Sequence, residues 1–218
     1  MRNGPAIAAS DRGLWSWFFR GDKGSAFKDD AARFAAGRFG MWLLIVTLAI
    51  VFFATILAYI IVRLSPQNRA DWPPVEMPGL PTLFVWSTMA LVASSGTMHV
   101  ATVAAKGSER TAGGWMLATL ALALLFLALQ VVAWVEAARE NMDFQAHLYA
   151  WTFYVLTALH AIHIAGGMGP MARTTVQAFR GRYDATNHRG IVYCAMYWHF
   201  LDVVWLILYV TLLWGSMR

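Results

Sequence analysis

Six side chains in this 218-residue sequence stand out as polar groups inside apolar stretches: His99, His147, His160, His163, His199 and Asp202. Such groups are costly in hydrocarbon, so where they occur they point to function or to helix pairing. His160 and His163 are three apart, which on an α-helix sets them one turn apart on one face. His199 and Asp202 repeat that spacing, with Trp198 and Trp205 one turn before and after the aspartate. Imidazoles and a carboxylate from two helices are ligands for iron, copper or zinc. His163 and His199 also offer one histidine on each of two helices for a bis-histidine haem. The shortage is of acids: a di-iron bundle draws Glu and Glu-x-x-His pairs from several helices, and these stretches contain only Asp202. The residues favour interhelical hydrogen bonding instead. Each histidine then donates to a carbonyl, to a hydroxyl such as Thr157 or to a lipid headgroup, and Asp202 is neutralised by a histidine or a proton. Bonds of this type contribute about 0.6–2 kcal/mol, enough to fix helix register. The sequence has no nucleophile triad, glycine-rich phosphate loop or cysteine pair, and its lone Cys194 reads as a small packing residue.

The elements that must hold these residues follow from where the charges are. Hydrophobic residues make up 59% of the chain and charged ones 13%, against about 25% charged in a soluble domain. A spanning helix needs roughly 20 consecutive apolar residues. Four stretches, bounded by Arg38 and Arg63, Glu76 and Lys106, Arg110 and Glu136, and Asp143 and Arg173, hold no Asp, Glu, Lys or Arg. A fifth, from Arg189 to Arg218, is interrupted only by Asp202. None shows the ten-residue alternation of a membrane barrel, so the backbone must satisfy itself as helix. The expected fold class is all-α, a polytopic bundle of five transmembrane helices over roughly 39–63, 80–105, 113–136, 146–171 and 191–214. Residues 1–38 are read as a retained cytoplasmic arm, and 39–218 as a single membrane domain with short connections. In the first connection Trp72 is expected to anchor at the membrane interface.

The net charge of +5 does not form a nucleic-acid patch, because the basic residues sort by side of the membrane. Thirteen Lys and Arg fall on the N-terminal side, against Arg63, Arg69, Arg139 and Arg218 on the other. The excess of positive charge marks the cytoplasmic side, which puts the N-terminus in the cytoplasm and the C-terminus outside.

The wording of the last two helices carries more than their composition. Thr157, Ala158, His160, Ala161, His163 and Gly167 stand at the fixed positions of T-G-x-H-G-x-H-x-x-x-G, with alanine at two of its glycines. The run from Tyr197 to Trp205 reads Y-W-H-F-x-D-x-V-W. Both strings, in this order, resemble subunit III of haem-copper oxidases. Phe39-Gly40-Met41-Trp42, Trp72-Pro73-Pro74 and Gln130 add to the resemblance, which covers roughly residues 38–216 and fits the short five-helix bacterial form. The chain departs from the family where acids are usual, carrying Leu48, Ala133 and Val192.

The resemblance implies a non-catalytic subunit of a proton-pumping terminal oxidase. Such a subunit binds no cofactor of its own, packs with catalytic subunit I and subunit II, where haem and copper reside, and holds phospholipid in a cleft. His160, His163, Trp198, His199, Asp202 and Trp205 are carried over as cleft or packing residues only; none is assigned catalysis or a metal. Two other readings stay open: an accessory subunit of a nitric oxide reductase, which shares the fold, and a small free-standing transporter. The transporter reading is opposed by the single interior acid and by the lack of a matched pair of broken helices.

Overall fold

The computed structural model describes residues 30–68, 71–74, 79–107, 109–140, 142, 147–183 and 188–217. Every regular element of more than one turn among them is helical: α1 Asp30–Leu64, α2 Leu83–Ala104, α3 Glu109–Arg139, α4 Leu148–Phe179 and α5 Arg189–Ser216. All five are long and apolar enough to cross a membrane. Residues 37–218 form one compact unit, and of the preceding 36 only 30–36 are described, as the opening turns of α1.

Two helices outrun the spans expected for them. α1 is helical from the first described residue, Asp30, and not only from near 39, because Ala31, Ala32, Ala35 and Ala36 are strong helix formers and the charges of Arg33 and Arg38 do not stop a helix. α4 continues to Phe179 and not 171, through Pro170. Proline removes one backbone donor, a defect that transmembrane helices tolerate when neighbouring groups re-satisfy the backbone. The carbonyl left without its donor is that of Gly166, while the hydroxyl of Thr174 donates to the Pro170 carbonyl at 2.9 Å as an ordinary bond one turn back. Charge spacing therefore located the membrane crossings, while helix ends were set by propensity and capping. His147 is one such cap, its Nδ1 accepting the backbone N–H of Tyr149 at 3.0 Å.

Helices α2, α3, α4 and α5 form a ring of neighbours, α2 beside α3, α3 beside α4, α4 beside α5 and α5 back beside α2. Short connections make consecutive members antiparallel, the arrangement of a four-helix bundle. The large buried side chains Phe84, Met98, Met116, Phe126, Phe153, Trp198 and Trp205 fill its centre. Helix α1 meets this bundle through long side chains and not by close backbone approach. Phe52 rests on the rings of His163 at 5.1 Å and His160 at 6.1 Å. Tyr59 lies so close over Gly215 that any side chain there would collide with its hydroxyl, and Tyr193 fills the space beside Gly37 in the same way. Arg63 donates to the Met217 carbonyl at 3.2 Å and stacks 3.5 Å above the ring of Trp214.

Trp72 is not an interfacial anchor. It is buried, edge-on to Tyr149 at 5.4 Å and to Tyr59 at 5.8 Å. The loop folds inward over the ends of α1 and α4, and burying an indole between two phenols there removes more apolar surface from water than leaving it at the membrane surface.

Candidate functional site: the polar seam between the helices

The polar residues of the bundle lie on the lines where helices meet, and each tie joins a named pair. Between α2 and α5, the indole N–H of Trp198 donates to Ser94 Oγ at 2.9 Å, and that of Trp205 to Thr88 Oγ1 at 2.9 Å. Ser95 Oγ and His199 Nδ1 are 2.8 Å apart in a third bond across the same seam. Between α2 and α3, Gln130 Nε2 donates to Ser87 Oγ at 2.8 Å, and Thr97 and Thr119 share a hydroxyl bond of 2.8 Å. Between α3 and α4, Trp134 Nε1 donates to Thr157 Oγ1 at 3.1 Å. Between α4 and α5, the Tyr197 hydroxyl donates to the His163 carbonyl at 3.0 Å, beside Gly167, where no Cβ would fit. A tie of this kind stabilises by about 0.6–2 kcal/mol, and seven of them fix every adjacent pair in one register.

The six residues carried over by the resemblance as cleft or packing residues fall into three settings. Trp198 and Trp205 are fully buried and act as donors to α2, with Trp205 packed against Phe126 at 4.9 Å, His160 at 5.0 Å and Phe84 at 5.8 Å. His160 is fully buried between Phe52, Phe126 and Trp205, and neither ring nitrogen has a hydrogen-bond partner within the described chain. His163 is partly buried and donates Nδ1–H to the Leu159 carbonyl at 2.7 Å. His199 and Asp202 make up the third setting. The carboxylate side chain is 7% exposed and the imidazole 38%, with 3.9 Å between Nδ1 and Oδ2. Ser95 and His199 are the polar neighbours of the Asp202 carboxyl, yet neither meets it in hydrogen-bond geometry. The α4 histidines turn to aromatic rings, Phe52 beside both and Phe126 and Trp205 beside His160. The described residues hold no group of three His, Cys, Asp or Glu arranged to bind a metal ion.

A separate cleft of about 350 Å³ opens between α1, α4 and α5, lined by Met41, Leu44, Gly167, Pro170, Tyr197 and Trp198 among others. Of the six residues, only Trp198 reaches it. At the positions where the resembling family carries acids, Ala133 is fully buried while Leu48 and Val192 are half-buried.

Sequence reasoning missed the acceptors on α2. Ser87 and Ser94, like Thr88 and Ser95, are seven apart, two helical turns on one face, and that repeat was the available signal. It is weak, because small hydroxyl residues are frequent in spanning helices and only the neighbour across the seam makes them acceptors.

With this arrangement in hand, the chain can be placed among known proteins. Residues 19–217 match the family described as cytochrome c oxidase subunit III. Curated relatives carrying the name cytochrome c oxidase subunit 3 include one from Synechocystis sp., 31% identical over 175 residues, covering 79% of this chain and 72% of the relative. One from Marchantia polymorpha is 31% identical and one from Drosophila yakuba 30%, each over 187 residues, 81% of this chain and 68% of the relative. A match over nearly the whole chain, on five apolar helices tied by the Y-W-H-F-x-D-x-V-W string, means that the protein belongs to the cytochrome c oxidase subunit III family of haem-copper oxidase subunits.

Proposed function

We propose that this chain is a non-catalytic subunit of a proton-pumping oxidase, which braces the catalytic subunit and holds phospholipid beside it. The observation that carries the reading is the use made of the interior donors. Trp198, Trp205, Gln130 and Trp134 are each bonded to a hydroxyl on a neighbouring helix, so both tryptophans of the Tyr197–Trp205 string do helix-pairing work. Haem and copper belong, on this reading, to partner subunits I and II. The relatives' names favour cytochrome c as electron donor and oxygen as acceptor. The apolar cleft beside Gly167 and Pro170 has the size and lining for a lipid acyl chain. Charge asymmetry supports a cytoplasmic N-terminus in a bacterial inner membrane, with 1–38 as an arm and 39–218 as the membrane domain.

The test is to delete the gene for this chain and purify the remaining oxidase. Haem and copper content per catalytic subunit, and initial oxygen uptake per haem, should match the complete enzyme. Loss of a haem absorption band in stoichiometric proportion to this chain would overturn the non-catalytic assignment.

A further inference from the structure

Two stripes of exposed residues run side by side along the α2–α5 seam. On α2 the stripe is Val92, Gly96, His99 and Val103, and on α5 it is His199, Val203, Leu206 and Val210, each stepping by the four and three residues that keep one helical face. All are exposed except His199, which is half-buried. The rings of His99 and His199 are 6.5 Å apart, so the two stripes meet at the histidines. Behind them lies Asp202, 95% buried, with no hydrogen-bond partner for either carboxyl oxygen in the described chain.

This face cannot be read as lipid-facing. His199 stands ten residues into α5 and His99 five residues before the end of α2, about 15 Å and 7 Å along their helices, within the depth of a core about 30 Å thick. Ser95 takes Nδ1 of His199, and with the imidazole 38% exposed Nε2 is the nitrogen left for a group outside the seam. Acyl chains offer it no acceptor or donor, and the penalty for ionisable groups so placed keeps them on protein or water. The other partly exposed histidine within a span, His163, is covered by Phe52 of α1. Beside His99, the space over Gly96 is open to 4 Å, and a small residue at such a point lets a second helix come close.

We propose that the α2–α5 seam is a docking surface for one transmembrane helix of another oxidase subunit, bearing a hydrogen-bonding side chain or freed carbonyl opposite His99 and His199. The visiting helix packs into the notch at Gly96, its polar group meets His199 Nε2, and Ser95 holds that imidazole from behind, with Asp202 3.9 Å away. This deepens the subunit reading given above and rests on it.

The experiment uses the intact complex purified in mild detergent, with a benzophenone amino acid at Val203 on the seam or at Leu124, an exposed site on α3. Light should couple the Val203 probe to a second polypeptide and the Leu124 probe to lipid. Separately, His199→Leu should lower the amount of chain retained per haem roughly tenfold, the scale of one lost interhelical bond, while His199→Gln retains it. If the chain co-purifies with haem but the Val203 probe labels lipid alone, or His199→Leu is retained as well as the natural chain, the docking proposal fails and the subunit reading stands. If the chain co-purifies with no haem protein, both fail.

Discussion

Helix α1 and the α2–α5 bundle are held by different physics. Only 17% of the most apolar stretch of α1 is buried, against 50% for α4. The bundle is specified by paired polar groups that must lie at matching depth, whereas α1 is held by Phe52, Tyr59 and Arg63 in its second half and by Tyr193 against Gly37 near its start. Polar pairs fix register because a mismatch leaves an unsatisfied group in hydrocarbon. Aromatic contacts and notches at glycine fix position only as far as shapes interlock. The bundle should therefore respond to mutation as a unit, and α1 as an attachment.

The most damaging way to test that contrast is Trp205→Ala, which empties a site shared by Phe84, Phe126 and His160 and abandons Thr88. A loss of about 3–5 kcal/mol is expected, since truncating a buried tryptophan leaves a cavity. Trp205→Phe should lose only about 1 kcal/mol. Both are read as shifts in the unfolding midpoint in mixed micelles, and similar shifts would mean that the indole is not packed as described.

Gly215→Leu comes next. The new side chain collides with Tyr59 and costs about 1–3 kcal/mol, all of it in the α1 attachment. A short bismaleimide joining Met41→Cys to the native Cys194, which line the same cleft, should then couple in lower yield while the bundle's unfolding midpoint holds. A fall in that midpoint would show α1 to be part of the cooperative unit.

A smaller effect is expected at Asp202. Asp202→Asn keeps shape and polarity and should leave both retained chain and oxygen uptake per haem unchanged. Asp202→Leu removes the group behind His199 and should loosen the chain from its complex, with turnover surviving in whatever stays assembled. Loss of turnover in Asp202→Asn with normal assembly would make Asp202 a proton-handling residue. The smallest change, Thr97→Val, removes one hydroxyl bond to Thr119. It should cost about 0.6 kcal/mol in the same micelle assay.

The parts of this structure that the sequence revealed are those governed by one helix at a time. Charge spacing exposed all five crossings, because a bilayer imposes its thickness on each helix independently. The strings around His160 and His199 marked residues that mattered, yet their partners could not be read. For Asp202 the expectation is neutralisation by a histidine or a proton, with the partner left open, since a helical face says nothing about which neighbour stands across it. The ring order decided the matter by putting α2, with Ser94 and Ser95, beside Trp198 and His199. Trp72 was misjudged for the same reason, its burial depending on Tyr59 and Tyr149 arriving from distant segments.

The hold of Arg63 on the Met217 carbonyl joins residues 154 positions apart. Ribosomes add about 5–20 residues per second, so roughly 8–30 s separate the synthesis of Arg63 from that of its acceptor. Tyr59 waits as long for Gly215. During that interval α2, α3 and α4 are made and Phe52 gains its histidine neighbours on α4, but the C-terminal end of α1, by its residues the most apolar of the five, still lacks the partners that α5 supplies. Its high apolarity thus acquires a purpose in biogenesis: α1 is suited to stay in the bilayer with few protein contacts until the last helix arrives to receive it.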